Sequence, residues 1–265
     1  MDSPNDLQTN ASLLIVEIGN SHITVATSIG ALIPTNVRFG LDQIDRVIEY
    51  AREAWIALPD DREKAVAGAS VVPDVMARLR EPLAESLQSP MLEVGDELHR
   101  PMVLALEQPE CVGVDRVCSA AAAYETLQRA CVVASFGTAI TIDCVNDEGV
   151  FMGGAIMPGL NLQAKSLHEG TAALPLVKVE PTGAAFGAST EQAIRNGILY
   201  GVVGALREIV ERYATELNGW PQLIVTGGQA ELVKAECDFI DNVVPDLCIR
   251  GIALAYRKHF AAFDD

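Results

Sequence analysis

Positive charge is scarce in this chain: 19 Lys and Arg stand against 36 Asp and Glu, a formal net charge of -17. A surface of that sign repels phosphate backbones, so nucleic-acid binding through the general surface is not expected. A nucleotide would need local positive groups, backbone amides or a metal ion to offset the field. Long apolar runs are also missing, and none approaches the roughly 20 residues of a membrane span. The six cysteines, at 111, 118, 131, 144, 237 and 248, show no C-x-x-C spacing, and the four histidines are scattered. That argues against a structural zinc site and for buried free thiols in a reducing compartment, hence a cytoplasmic protein. There is no Gly-x-Gly-x-x-Gly and no Gly-Lys-Ser/Thr, which argues against a dinucleotide site and a P-loop. Residues 1–12 are polar, lack an apolar signal core and read as a flexible tail.

What the chain does contain is a repeat. Leu14-Ile15-Val16-Glu17-Ile18-Gly19-Asn20-Ser21-His22-Ile23-Thr24-Val25-Ala26 is echoed by Val132-Val133-Ala134-Ser135-Phe136-Gly137-Thr138-Ala139-Ile140-Thr141-Ile142-Asp143-Cys144. Each copy is an apolar run, a polar residue, one more apolar residue, a glycine with a small polar residue, and a second β-rich run. That pattern predicts a strand, a tight turn and a returning strand. A glycine in each turn lets backbone N–H groups come close to an anion. Two such hairpins predict two related lobes whose turns meet across a cleft.

Apolar residues at 41, 44, 47, 48, 51, 54, 55 and 58 have helical spacing. Residues 65–72 read as a strand, Pro73 opens a helix to Leu87, and 90–94 is a short strand. Residues 95–112 connect the lobes. An alanine-rich helix follows to Arg129, then the second hairpin, a strand over 150–156, a helix over 160–169 and a loop over 182–187. Residues 190–217 form a long apolar-striped segment whose glycines at 197, 201 and 204 permit close packing or mark a break. A strand over 222–226 and a helix over 245–263 complete the pattern. The expected class is α/β: two similar lobes with mixed sheets flanked by helices, 13–112 and 113–265.

Glu17 interrupts an otherwise apolar strand, where a carboxylate costs several kcal/mol unless paired, hydrogen-bonded or on a metal. It is either a site residue at the strand end or a partly exposed edge residue with an ion-pair partner. Ser135 is its uncharged counterpart. Thr138 could offer an N–H and a hydroxyl to a phosphate oxygen. Asp115-Arg116 opens a helix, and Asp115 is either a chemical group or a cap. Asp143 serves the site or faces water. Thr226-Gly227-Gly228 is a backbone shelf for a base or ribose.

These pieces in this order, with Gly153-Gly154-Ala155-Ile156-Met157-Pro158-Gly159-Leu160 and Thr171-Ala172-Ala173-Leu174-Pro175, resemble the type III pantothenate kinases over about residues 13–257. The resemblance implies the actin-like ATPase fold of acetate and sugar kinases and Hsp70, a ribonuclease H-like arrangement with ATP in an interlobe cleft. It also implies transfer of the ATP γ-phosphate to the primary hydroxyl of pantothenate, the opening step of coenzyme A synthesis, in a homodimer. On it, Asp115 matches the general base. Gly113, Val114, Asp115, Arg116 and Thr190 match substrate contacts. Glu17, Ile18, Gly19, Asn20, Ser21, His22, Ile23 and Thr24 match the first phosphate loop, and Thr138 a nucleotide contact. Magnesium, held through water by the residue at position 17, and a monovalent cation, K+ or NH4+, at the Ser135 position complete the family set.

The chain departs from that pattern on the nucleotide side. The family has Asp at positions 17 and 135, and Leu106 stands where a tyrosine is common. A serine hydroxyl is a poor replacement for a carboxylate on a cation. Three readings follow: a pantothenate kinase with altered cation use, its activity reduced by Glu17 and Ser135; a non-catalytic pantothenate- or nucleotide-binding relative with a regulatory role; or a kinase for another small alcohol on the same fold.

Overall fold

β1 (Ser12–Ile18), β2 (His22–Ile29) and β3 (Leu32–Gly40) form an antiparallel meander. β4 (Lys64–Ser70) pairs parallel with β1, and β5 (Met91–Glu93) with β4, giving the order β3-β2-β1-β4-β5. The computed structural model describes residues 11–30, 32–181, 183–240 and 242–261. The central strand β1 is apolar on both faces because both are covered, as expected for a strand with parallel neighbours under helices. Leu14, Val16 and Ile18 pack in one cluster with residues of α1 (Ile44–Ala57) and α2 (Pro73–Leu87). Leu13 and Ile15 pack in another with the start of α3 (Val114–Leu127) and with α7 (Leu247–Ala261).

α2 starts where the sequence predicts, with Pro73 in its first turn, where a missing N–H costs nothing. It stops at Gln88, which takes a left-handed φ of 52° as a C-cap.

The second sheet repeats the first. β6 (Cys131–Phe136), β7 (Ala139–Val145) and β8 (Phe151–Pro158) form an antiparallel meander. β9 (Gln222–Thr226) pairs parallel with β6, and the two-residue β10 (Asn242–Val243) with β9, in the order β10-β9-β6-β7-β8. Strand for strand this is the plan of the first sheet. Its core joins Val132, Ala134, Phe136, Ile140 and Ile142 to α4 (Leu160–Glu169), α5 (Thr190–Glu216) and α6 (Ala230–Lys234).

By packing the chain divides into two units, 1–103 with 108–122 and 247–265, and 104–107 with 123–246. The opening of α3 and all of α7 therefore group with the first sheet, whereas the sequence places 113–265 in one lobe. Part of the expected connection is bound: Ala105 N–H donates to the Phe151 carbonyl at 2.9 Å, beside β8. Residues 1–10 of the expected tail lie outside the described residues, as does Thr182 of the expected loop; Ala11 is buried and Ser12 begins β1.

The structure adds to the sequence reading at β3 and corrects it at α5. β3 is not expected from its sequence, because Pro34, Thr35 and Asn36 break the alternation; it pairs only with β2 and is largely exposed. α5 is continuous for 27 residues, so its glycines do not break it. They do not serve close packing either, since a Cβ at 197, 201 or 204 would meet nothing within 4 Å. Ile198, Leu199, Val202 and Leu206 on the apolar stripe of α5 are core.

Candidate active site

In the first unit the β1–β2 turn is closed by Gly19 N–H donating to the His22 carbonyl at 3.0 Å, with Asn20, Ser21 and His22 exposed. Glu17 is half-buried one residue before the strand end, in register with Thr24 on β2 and Ala69 on β4. It is not isolated, having an interaction with other groups of the chain.

The second unit builds the same turn around neutral groups. Gly137 N–H donates to the Ala139 carbonyl at 3.1 Å, and Thr138 is exposed. Ser135 is in register with Thr141 on β7 and Thr226 on β9, three hydroxyl residues in a row across the sheet. Directly paired residues share a face, so this row presents hydroxyls where the first unit presents a carboxylate. The likeness extends to the loops after the parallel strands: Val71 N–H donates to the Ile18 carbonyl at 3.0 Å, and Gln229 N–H to the Phe136 carbonyl at 3.1 Å.

Two glycines make this second turn possible. A Cβ on Gly159 would lie 2.2 Å from the Gly137 carbonyl oxygen, and Gly159 N–H donates to the Thr138 carbonyl at 2.9 Å. A Cβ on Gly227, whose φ is +98°, would lie 2.5 Å from the Phe136 carbonyl oxygen. Three backbone segments, 136–138, Gly159 and Gly227, thus converge at the end of β6. Asp143 is buried rather than facing water, directly opposite Gly154 on β8, where a Cβ would lie 2.3 Å from its Oδ1.

Asp115 lies in the first turn of α3, in the same unit as Glu17. Its Oδ1 accepts a hydrogen bond from Arg116 N–H at 2.9 Å. A Cβ on Gly113 would stand 2.6 Å from that oxygen, so the glycine makes room for the carboxylate. Burial raises the Asp115 pKa, against the opposing pull of the Arg116 amide and guanidinium. A carboxyl with raised proton affinity at a helix mouth can orient an alcohol and accept its proton. The Cys248 thiol, on the first turn of α7, is within electrostatic reach of both Glu17 and Asp115. Both acids belong to the first unit although they are far apart in the chain. Thr190 belongs to the second unit, in the first turn of α5, where the Ser189 hydroxyl accepts from Gln192 N–H at 3.3 Å.

Among the described residues no group of three or more His, Cys, Asp or Glu is arranged to hold a metal ion. Glu17, a single half-buried carboxylate at the β1–β2 turn, would suit magnesium carried mainly by nucleotide phosphates. No helix among the described residues is long and apolar enough to cross a membrane.

A sequence model of the type III pantothenate kinases matches residues 13–212. A type III pantothenate kinase of Syntrophotalea carbinolica is 32% identical over 254 residues, 93% of this chain and 99% of that protein. The chain belongs to the type III pantothenate kinase family. A member from Rhodospirillum rubrum is 37% identical over 192 residues, 72% of this chain and 75% of its own. Among solved structures, a Baf-family transcriptional activator from Campylobacter jejuni superposes with a TM-score of 0.62 at 18% identity, over 92% of this chain and 98% of its own. The activator of 2-hydroxyisocaproyl-CoA dehydratase from Clostridium difficile, with bound ADPNP, gives 0.52 at 11% identity, over 96% of each chain. At those identities the structures speak to fold alone, and the fold is that of the actin-like ATPases and sugar kinases.

Sequence reading passed over Thr141 as a member of the hydroxyl row, and took Cys248 only as one of six free thiols. The first was accessible from aligning the two hairpins. The second had no signal, because nothing in the spacing of Asp115 and Cys248 says that α3 and α7 meet.

Proposed function

We infer that this family member catalyses transfer of the ATP γ-phosphate to the primary hydroxyl of pantothenate, the first step of coenzyme A synthesis. The observation that carries the reading is Asp115: a half-buried carboxyl of raised proton affinity, given room by Gly113, in one unit with the Glu17 turn. Phosphoryl transfer demands positioning and charge neutralisation more than covalent help. Asp115 orients the pantothenate hydroxyl and takes its proton as the new P–O bond forms. Gly113, Val114, Arg116 and Thr190 hold the rest of pantothenate. The amides and hydroxyls of Glu17 to Thr24, with Thr138, contact the triphosphate. Magnesium bound to the nucleotide supplies the positive charge this acidic chain lacks, and Glu17 would hold it through water.

The monovalent-cation position is different. Ser135, Thr141 and Thr226 supply neutral oxygens and no carboxylate, a set that does not fit a charge-paired potassium site. Turnover is therefore expected to change by less than about twofold when potassium is withdrawn, with Ser135→Asp creating a dependence. Steep activation of the unmodified chain by potassium would contradict this. The same substitution, with Glu17, supports the second reading, a binding protein without turnover; in that case pantothenate or ATP binds and no product forms.

A homodimer is supported by apolar side chains left exposed in the second unit, Met152 and Ile156 on the edge strand β8, Leu162 and Leu167 on α4, Leu176, and Phe186 at 88% exposure. A sedimentation mass of one chain at micromolar concentration would contradict it. Cytoplasmic residence is supported by the free thiols Cys118, Cys131, Cys144 and Cys237, all buried and unpaired by disulfides.

A further inference from the structure

α3 and α7 touch at their backbones. A Cβ on Gly251 would lie 2.0 Å from the Cys118 carbonyl oxygen and 2.6 Å from its Cα, so only glycine permits the approach. Asp115 and Cys118 are one turn apart on α3, and Cys248 and Gly251 one turn apart on α7, so each pair shares a helix face. The Cys118 side chain is fully buried among Leu13, Ile15, Ile249 and Ile252, with Cys248 packed against the same cluster. The two thiols are joined by a hydrogen bond, and Cys248 also reaches the fields of Glu17 and Asp115.

We propose that Cys248, seated on Cys118 where α3 meets α7, is a positioning residue that fixes the first turn of α3 and with it the Asp115 carboxylate. The proposal rests on Asp115 being the base. An ordinary buried cysteine is a small hydrophobe whose loss lowers stability. Cys248 differs in three respects. It is only half-buried, it is within electrostatic reach of both acids, and it sits one turn from the point where the backbones of α3 and α7 meet. Its thiol is held neutral, first by the hydrogen bond with Cys118, then by burial and the nearby Glu17. A small side chain thus fills the seam between α3 and α7 beside Val114 and Cys118. A displacement of about one ångström at a reacting group can cost on the order of a hundredfold in rate, so a fraction of that at Asp115 is measurable.

The test uses the full chain with ATP and pantothenate, measuring kcat, the KM of each substrate and the melting temperature. Cys248→Ala is expected to lower kcat about tenfold with the KM for ATP within about twofold, and Cys248→Ser, which keeps a small donor, to recover most of the loss. Cys237→Ala removes a buried thiol of the second unit and is expected to leave kcat unchanged. If Cys248→Ala does not fold, Cys248→Val fills the space without a donor and is expected to show the same loss. Wild-type kcat in Cys248→Ala or Cys248→Val, or a loss in melting temperature alone, overturns the proposal. So does failure of Cys248→Ser to recover. Asp115→Asn run alongside separates the two claims. If it is inactive while the Cys248 variants are normal, only the positioning role falls; if it turns over normally, the base assignment falls and the proposal with it.

Discussion

Asp115→Asn lowers kcat by a factor of about 10²–10⁴, while pantothenate still binds with little change. Asn is isosteric with Asp and retains the side-chain oxygen that accepts from Arg116 N–H at 2.9 Å, so the first turn of α3 keeps its shape. What is lost is the ability to accept a proton and the negative charge that orients the hydroxyl. The burial that raises the Asp115 pKa makes the amide a mild substitution for stability, since a neutral group there no longer pays a desolvation cost. Calorimetric binding of pantothenate beside a turnover assay makes the check. Near-normal turnover in the variant would show that the base lies elsewhere.

Gly227→Ala is expected to cost about 3 kcal/mol or more of stability and to lower the melting temperature by about 6 °C or more. Two costs coincide there. The φ of +98° is a region that L side chains rarely adopt, and the new Cβ would meet the Phe136 backbone at 2.5–2.7 Å. Backbone at the end of a central strand cannot swing aside as a flexible side chain can. The disturbance falls where Phe136, Gly137 and Thr138 lead into the second turn, so nucleotide binding is expected to weaken together with stability. Gly197→Ala is the control: its Cβ meets nothing within 4 Å on an exposed face of α5, and replacing a mid-helix glycine there should stabilise by up to about 1 kcal/mol. A thermal melt of the two variants checks both signs, and equal melting temperatures would contradict the account.

The duplicated hairpin was legible because a central strand covered on both faces must be apolar throughout, and the one polar interruption in each copy then stands out. β1 and β6 are such strands, and Glu17 and Ser135 such interruptions. β3 was not legible: an edge strand is half-solvated and tolerates Pro34 and Asn36, so its sequence reads as loop. The glycines of α5 misled for a related reason, since glycine is a local signal and the packing that holds a 27-residue helix together is not. Asp115 was visible as a residue, and its company was not. That α3 opens in the unit of the first sheet, and that α7 returns to it after the whole second unit, depends on which faces of β1 remain to be covered. Likewise the row Ser135, Thr141, Thr226 exists only in the pairing register of three strands.

The central claim is that Asp115, set in the unit of the Glu17 turn, delivers the pantothenate hydroxyl to the end of ATP. The most direct measurement is mass-spectrometric detection of 4'-phosphopantothenate when the purified chain is given pantothenate and millimolar Mg-ATP, with and without potassium. The account predicts stoichiometric conversion of ATP to ADP and the phosphorylated product in both conditions. Tight binding of pantothenate or ATP with no product in either condition would contradict it.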